Sequence, residues 1–132
     1  MGAHAQFVLA QIAFNTSDIV SAREHLCDAL ATLARLKLWA DCATCIDLSV
    51  MITAAQGDAE PAARLLAAAD ALYEREHVVR QPVDQHLIEP VVAQLYQLLS
   101  PSALEQLQRE TSTLPPDQIV ALALASGQRS TN

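Results

Sequence analysis

Residues 52–76 read ITAAQGDAEPAARLLAAADALYERE. Gly57 followed by Asp58 marks a helix stop and then a helix start. Glycine tolerates the left-handed conformation that closes a helix. Asp58 suits the N-cap of the next helix, and Pro61 falls in its first turn, where a missing N–H leaves nothing unsatisfied. Beyond it, Ala62, Leu65, Leu66, Ala69, Leu72 and Tyr73 recur at helical spacing as one apolar stripe. Before it, Trp39, Cys42, Ala43, Ile46, Val50 and Thr53 form a similar stripe. The stretch is the second half of a helical hairpin with a tight turn.

A copy lies 40 residues upstream. IAFNTSDIVSAREHLCDALA aligns with ITAAQGDAEPAARLLAAADA, so that Ile12 matches Ile52, Asp18 matches Asp58, Ala22 matches Ala62, Leu26 matches Leu66 and Ala29 matches Ala69. Small residues recur where helices must approach closely. A helix–turn–helix unit at a fixed period is the signature of an α-helical repeat array, and a period of 40 implies longer helices than the 34-residue tetratricopeptide unit. The expected fold is all-α, with antiparallel hairpins stacked as a tetratricopeptide-like superhelical repeat in one domain over residues 1–126. Helices are expected at about 3–15, 18–36, 38–56, 59–77, 84–99, 101–110 and 116–126. The repeat units are then about 3–36 and 38–77, and capping helices fill about 84–126. Residues 78–83 form a connector, and residues 127–132 a flexible polar tail. Pro90 is expected to kink the fifth helix, because Leu87, Val91, Leu95 and Leu98 hold one phase across it.

Composition agrees. Of 132 residues 52% are apolar but only 4% aromatic, and glycine occurs 3 times, so a core of Leu, Ala, Val and Ile packs between helices. Eight basic residues are scattered against 15 acidic ones, a net charge of −7. No basic stripe is present to neutralise phosphates, so neither direct nucleic-acid binding nor attraction to an anionic membrane is expected. No apolar run reaches the roughly 20 residues of a membrane span. Three cysteines, an odd number, and no leader-like start point to a reducing, cytoplasmic setting.

Cys42-Ala43-Thr44-Cys45 is a CxxC, but it sits mid-helix in an apolar stripe, where cysteines act as small packing residues. The four histidines do not pair at helical spacing, and Glu60, Asp70, Glu74 and Glu76 are read as a solvated acidic face. No catalytic set, phosphate-binding loop or metal motif occurs, so the expectation is a non-enzyme without cofactor or metal. The first helix of each hairpin lines the concave side of such an array. Gln11, Asp41, Thr44 and Asp47 are therefore the candidate binding residues, and charge reversal at Asp47 should weaken partner binding with stability intact. Helix 1 starts with no polar cap before it. The chain is thus expected to be the last repeats of a longer array, or else a free-standing adaptor that forms a homodimer through Phe7, Val8, Gln11, Ile12 and Phe14.

The run GDAEPAARLLAAADALYERE, the proline-containing connector and the closing PPDQIVALALAS resemble the C-terminal tetratricopeptide-like region of bacterial ATPase regulators of the LuxR, maltose-activator and adenylate-cyclase types. Gly57-Asp58, Ala62 to Leu66, Ala68-Ala69, Ala71-Leu72 and Glu74 carry the first part, and Asp117 with Val120 to Leu124 the last. Ala67 departs from the usual Gly, and Pro115-Pro116 replaces Ser/Thr-Leu. The resemblance implies a non-catalytic sensing or scaffold piece of a transcriptional regulator. It would bind a protein or peptide partner, or other domains of its parent, with the nucleotide- and DNA-binding modules elsewhere.

Overall fold

In the computed structural model, which describes the backbone of residues 2–129 and side chains to residue 125, the chain forms seven α-helices. They are α1 (Ala3–Asn15), α2 (Ile19–Arg35), α3 (Trp39–Ala55), α4 (Ala59–Arg75), α5 (Pro82–Leu98), α6 (Pro101–Ser112) and α7 (Pro116–Arg129). The described residues contain no strand. No described helix is long and apolar enough to cross a membrane.

The first four helices end in the same way. Ser17, Lys37, Gly57 and His77, spaced 20 residues apart, all have positive φ, from 55° to 84°. At each, the next residue's N–H reaches back to close the helix: Asp18 to Ala13 O at 2.8 Å, Leu38 to Leu33 O at 2.9 Å, Asp58 to Thr53 O at 3.2 Å and Val78 to Tyr73 O at 3.0 Å. This is the left-handed closure that satisfies a helix's last carbonyls. The period of 40 in the sequence is thus two closures of 20, and only Gly57 announces one. The other three place a side chain where L-residues are disfavoured by about 1–2 kcal/mol.

The starts differ in detail. Asp18 caps α2 by accepting from Ser21 N–H at 3.2 Å. Asp58 stands at the same place before α4 but makes no such bond. The residue three positions on is Pro61, which has no N–H to give. The capping expected of Asp58 therefore does not occur, and its carboxylate acts only through charge at the helix N-terminus.

Tight closures bring α1 against α2 and α3 against α4 as antiparallel pairs, and α2 packs on α3. The α3/α4 pair is the centre. Ile46, Val50, Ile52, Leu65, Leu72 and the alanines of α4 from Ala62 to Ala71 are almost wholly buried there. Cys42 and Cys45 are 0% and 2% exposed and fill space as small apolar groups. The last three helices depart from the hairpin plan. Each begins with proline at its first position, after residues in extended conformation at Gln81 and Ser100. α5 packs on α3 and α4, α6 packs on α4, and α7 returns across α2, α3 and α4. Ile119, Val120 and Ala123 bury its inner face.

Within α5 the buried residues are Ile88 and Leu95, with Val91 and Val92, and Leu99 just past its end, partly covered. This corrects the expected stripe, because Leu87 and Leu98 stand 48% and 58% exposed. Pro90 lies inside α5 on an exposed face, where the hydrogen bond its missing N–H removes is not lost from the core. α7 continues to Arg129, past the expected end at 126, and residues 130–132 lie outside the described residues.

Candidate functional site: a groove along α3

One groove runs along α3 between α1 and α5. Asp41, Thr44, Leu48 and Met51 fall at i, i+3, i+7 and i+10, a single stripe of α3, and form its floor. At the Asp41 end it widens to a cleft of about 300 Å³ lined by Ala3, His4, Phe7, Leu33 and Cys45. At the Met51 end a second cleft of about 340 Å³ lies between Val8, Ile12 and Phe14 of α1 and Leu87 of α5. A waist of about 20 Å³ joins them, bounded by Gln11, Thr44, Asp47, Asp84 and Ile88. Its apolar walls are unusually open. Val8 and Ile12 on α1, and Leu87 on α5, are all exposed.

All four candidate binding residues line this groove. Gln11 looks across from α1, Asp41 is exposed at one end, and Thr44 is half-buried between them. Asp47 is different. It is 4% exposed and ion-paired. The expectation that Asp47 is a free surface carboxylate, reversible in charge without loss of stability, does not hold.

Arg80, in the connector between α4 and α5, grips Asp47 with both arms of its guanidinium. Nε donates to Oδ2 and Nη2 donates to Oδ1, each at 2.9 Å. Nη2 also lies 2.7 Å from Asp70 Oδ1. The hydroxyl of Tyr73 donates to Asp47 Oδ2 at 3.0 Å and stands 3.3 Å from Thr44 Oγ1. Arg80 stacks over the Tyr73 ring, 4.8 Å from its centroid. A bidentate fork of this kind is available to Arg and not to Lys. Burial works against the charge on Arg80, but the two carboxylates outweigh it and push its pKa further up. Burial likewise holds the Asp47 and Asp70 carboxyls above their ordinary values, against the pull of Arg80.

This network corrects the acidic-face reading at one position. Glu60, Glu74 and Glu76 are exposed, Glu60 pairing with Arg64 at 2.8 Å, but Asp70 turns inward to Arg80. The signal was present in the sequence. Asp47 interrupts an apolar helix, and Asp70 and Tyr73 lie one turn apart on the helix that pairs with it. Carboxylates placed there need a cation. Nothing in the sequence said which of the scattered arginines supplies it.

A second buried guanidinium, Arg23 of α2, reaches α3. It donates to Thr53 Oγ1 at 3.5 Å and to Gln56 Oε1. Desolvation lowers its pKa. It ties the two hairpins together on the side away from the groove. The thiols are pushed up by burial, Cys42 to about 12 and Cys45 further, the opposite of an activated nucleophile. Among the described residues no three of His, Cys, Asp and Glu converge as a metal-holding group.

No family model, curated protein or solved structure matches this chain.

Proposed function

We propose that the chain is a tetratricopeptide-like helical-repeat module that works by binding a protein segment in the α1/α3/α5 groove. In this reading it is the sensing or scaffold part of a larger bacterial transcriptional regulator, as the resemblance at residues 57–76 and 115–126 implies. The groove carries the reading. A helix from a partner, or from another domain of the same regulator, would lie along α3 and contact the apolar ridges on both sides. The floor from residue 41 to residue 51 spans about 15 Å at 1.5 Å per residue, room for roughly three helical turns. Asp41 and Asp84 border the groove, Asp47 is neutralised by Arg80, and the chain carries a net charge of −7. The occupant is therefore an amphipathic helix with basic residues flanking its apolar face.

Fluorescence anisotropy tests this with two labelled synthetic amphipathic helices, one built of Leu and Lys and the other of Leu and Glu. The Leu/Lys helix is expected to bind and the Leu/Glu helix to bind at least tenfold more weakly. Met51→Asp, on the groove floor, should abolish binding. Equal affinity for both helices, or full binding by Met51→Asp, would overturn the reading.

A second reading has one observation in its favour. Val8 and Ile12 are 37% and 54% exposed on the α1 wall, and a second copy would cover them. Light scattering across concentration should then show a dimer that Ile12→Glu dissociates. A monomer at all concentrations removes this reading.

A further inference from the structure

The connector between α4 and α5 has few means of holding its place. Val78 and Val79 are 41% and 84% exposed, and Gln81 and Pro82 are exposed as well. Val78 N–H closes α4 by bonding Tyr73 O. Among the described residues, the only side chain of 78–81 with a polar bond to the hairpin is Arg80. α5, which follows, is itself lightly docked. Its fully buried side chains are Ile88 and Leu95, against ten buried residues on α4. Because the hold on a helix grows with the apolar area it buries, two such residues secure a 17-residue helix only modestly.

We infer that Arg80 is the positioning residue of the groove: its grip on Asp47 and Asp70 latches the connector to the α3/α4 hairpin and so fixes α5 as the second wall. The inference rests on the groove being the binding site, and it adds how that site is held in shape. Two features make the latch more than a brace. Asp47 and Thr44 belong both to the network and to the groove lining. A helix seated at the waist therefore lies against the same side chains that hold Arg80. Groove occupancy and latch closure are then linked, each favouring the other by the same factor. Release of Arg80 frees a connector with almost no other anchorage, and α5 moves with it.

Hydrogen exchange read by mass spectrometry on wild type, Arg80→Lys and Arg80→Met tests the latch without any ligand. Arg80→Met is expected to speed exchange about tenfold or more across residues 78–98, well beyond any change in α2, α3 and α4. Arg80→Lys, which keeps the charge but loses the fork and the stack, should fall between. A uniform loss of protection over the whole chain would make Arg80 an ordinary stabilising residue and overturn the inference, as would unchanged exchange in α5. If Arg80→Met does not fold, Asp70→Asn removes only the more exposed partner. It should give a smaller increase confined to the same residues, and no local increase overturns the latch. The Leu/Lys helix then provides a second reading. Tenfold weaker binding by Arg80→Lys at unchanged melting temperature supports the latch, and undiminished binding counts against it. A wild type that fails to bind that helix removes the groove reading but leaves the exchange result to judge the latch by itself.

Discussion

The two halves of the molecule join their helices by different chemistry, and the packing follows from it. Through Arg75, each helix ends in a left-handed residue, and after α1, α2 and α3 the next helix begins two residues later, a turn too short for anything but an antiparallel neighbour. From Pro82 onward each helix begins at a proline, and extended residues precede α5 and α6. Leu99 and Ser100, with ψ near 150°, carry the chain away from α5, so α6 packs on α4 instead of pairing with its predecessor. Closures of the first kind build a dense core. Openings of the second kind leave α5 with two fully covered side chains and an exposed apolar wall. The groove along α3 lies where the halves meet, on the face the loosely held helix leaves open.

The sharpest break of this picture is at the seam. Asp47→Lys places a second cation beside Arg80 in a buried site. Breaking such a pair leaves an uncompensated charge at a loss of about 3–5 kcal/mol. Chemical denaturation should register a loss of that size, and a loss under about 1 kcal/mol would mean that Asp47 is not enclosed. Next, Leu72→Ala in the dense half should lower unfolding free energy by about 2–5 kcal/mol. Ile88→Ala in α5 should act locally, raising exchange of α5 well before the denaturation midpoint moves. Equal global effects from the two would mean that the halves unfold as one unit.

Alkaline pH discriminates by the core thiols. The pKa values of Cys42 and Cys45 are raised on folding, as is that of Tyr73. Their contribution to stability is fully present below the unfolded thiol value of about 8.5 and is lost as pH rises through the folded values, about 12 for Cys42. Unfolding free energy should fall between pH 9 and 11 by up to about 1.4 kcal/mol per pH unit for each thiol. Cys42→Ala should flatten that slope, whatever it does to stability at pH 7. An unchanged slope would place Cys42 outside the core.

The smallest expected effects concern the closures. Nothing lies within 4 Å of a Cβ added at Gly57, so Gly57→Ala tests backbone strain alone. It should lower stability by about 1 kcal/mol, and Lys37→Gly should raise it by a similar amount. A melting-temperature series over both variants checks the pair. No gain from Lys37→Gly would mean that the Lys37 closure is not strained.

Helix existence and type were written in local sequence. Apolar stripes of period 3.6, Gly57-Asp58 and the prolines at 82, 101 and 116 each act over a few residues, so the all-α class and the helix limits could be read to within two or three positions. The closures at Ser17, Lys37 and His77 could not, since none of them is a glycine and they are held at positive φ by the packing of the helices they join. The groove was half legible. Gln11, Asp41 and Thr44 lie on it because the helical period alone sets which residues share a face. The partner of Asp47 was not legible, because Arg80 lies 33 residues away in a connector with no periodic pattern. Burial turned Asp47 from a surface charge into a group that requires a cation, with half-exposed Asp70 sharing that cation, and burial is a property of the folded chain. The same holds for α5. Its sequence specified a helix, but which of its apolar residues faced the core and which faced the groove was decided by where the connector, held by Arg80, let it lie.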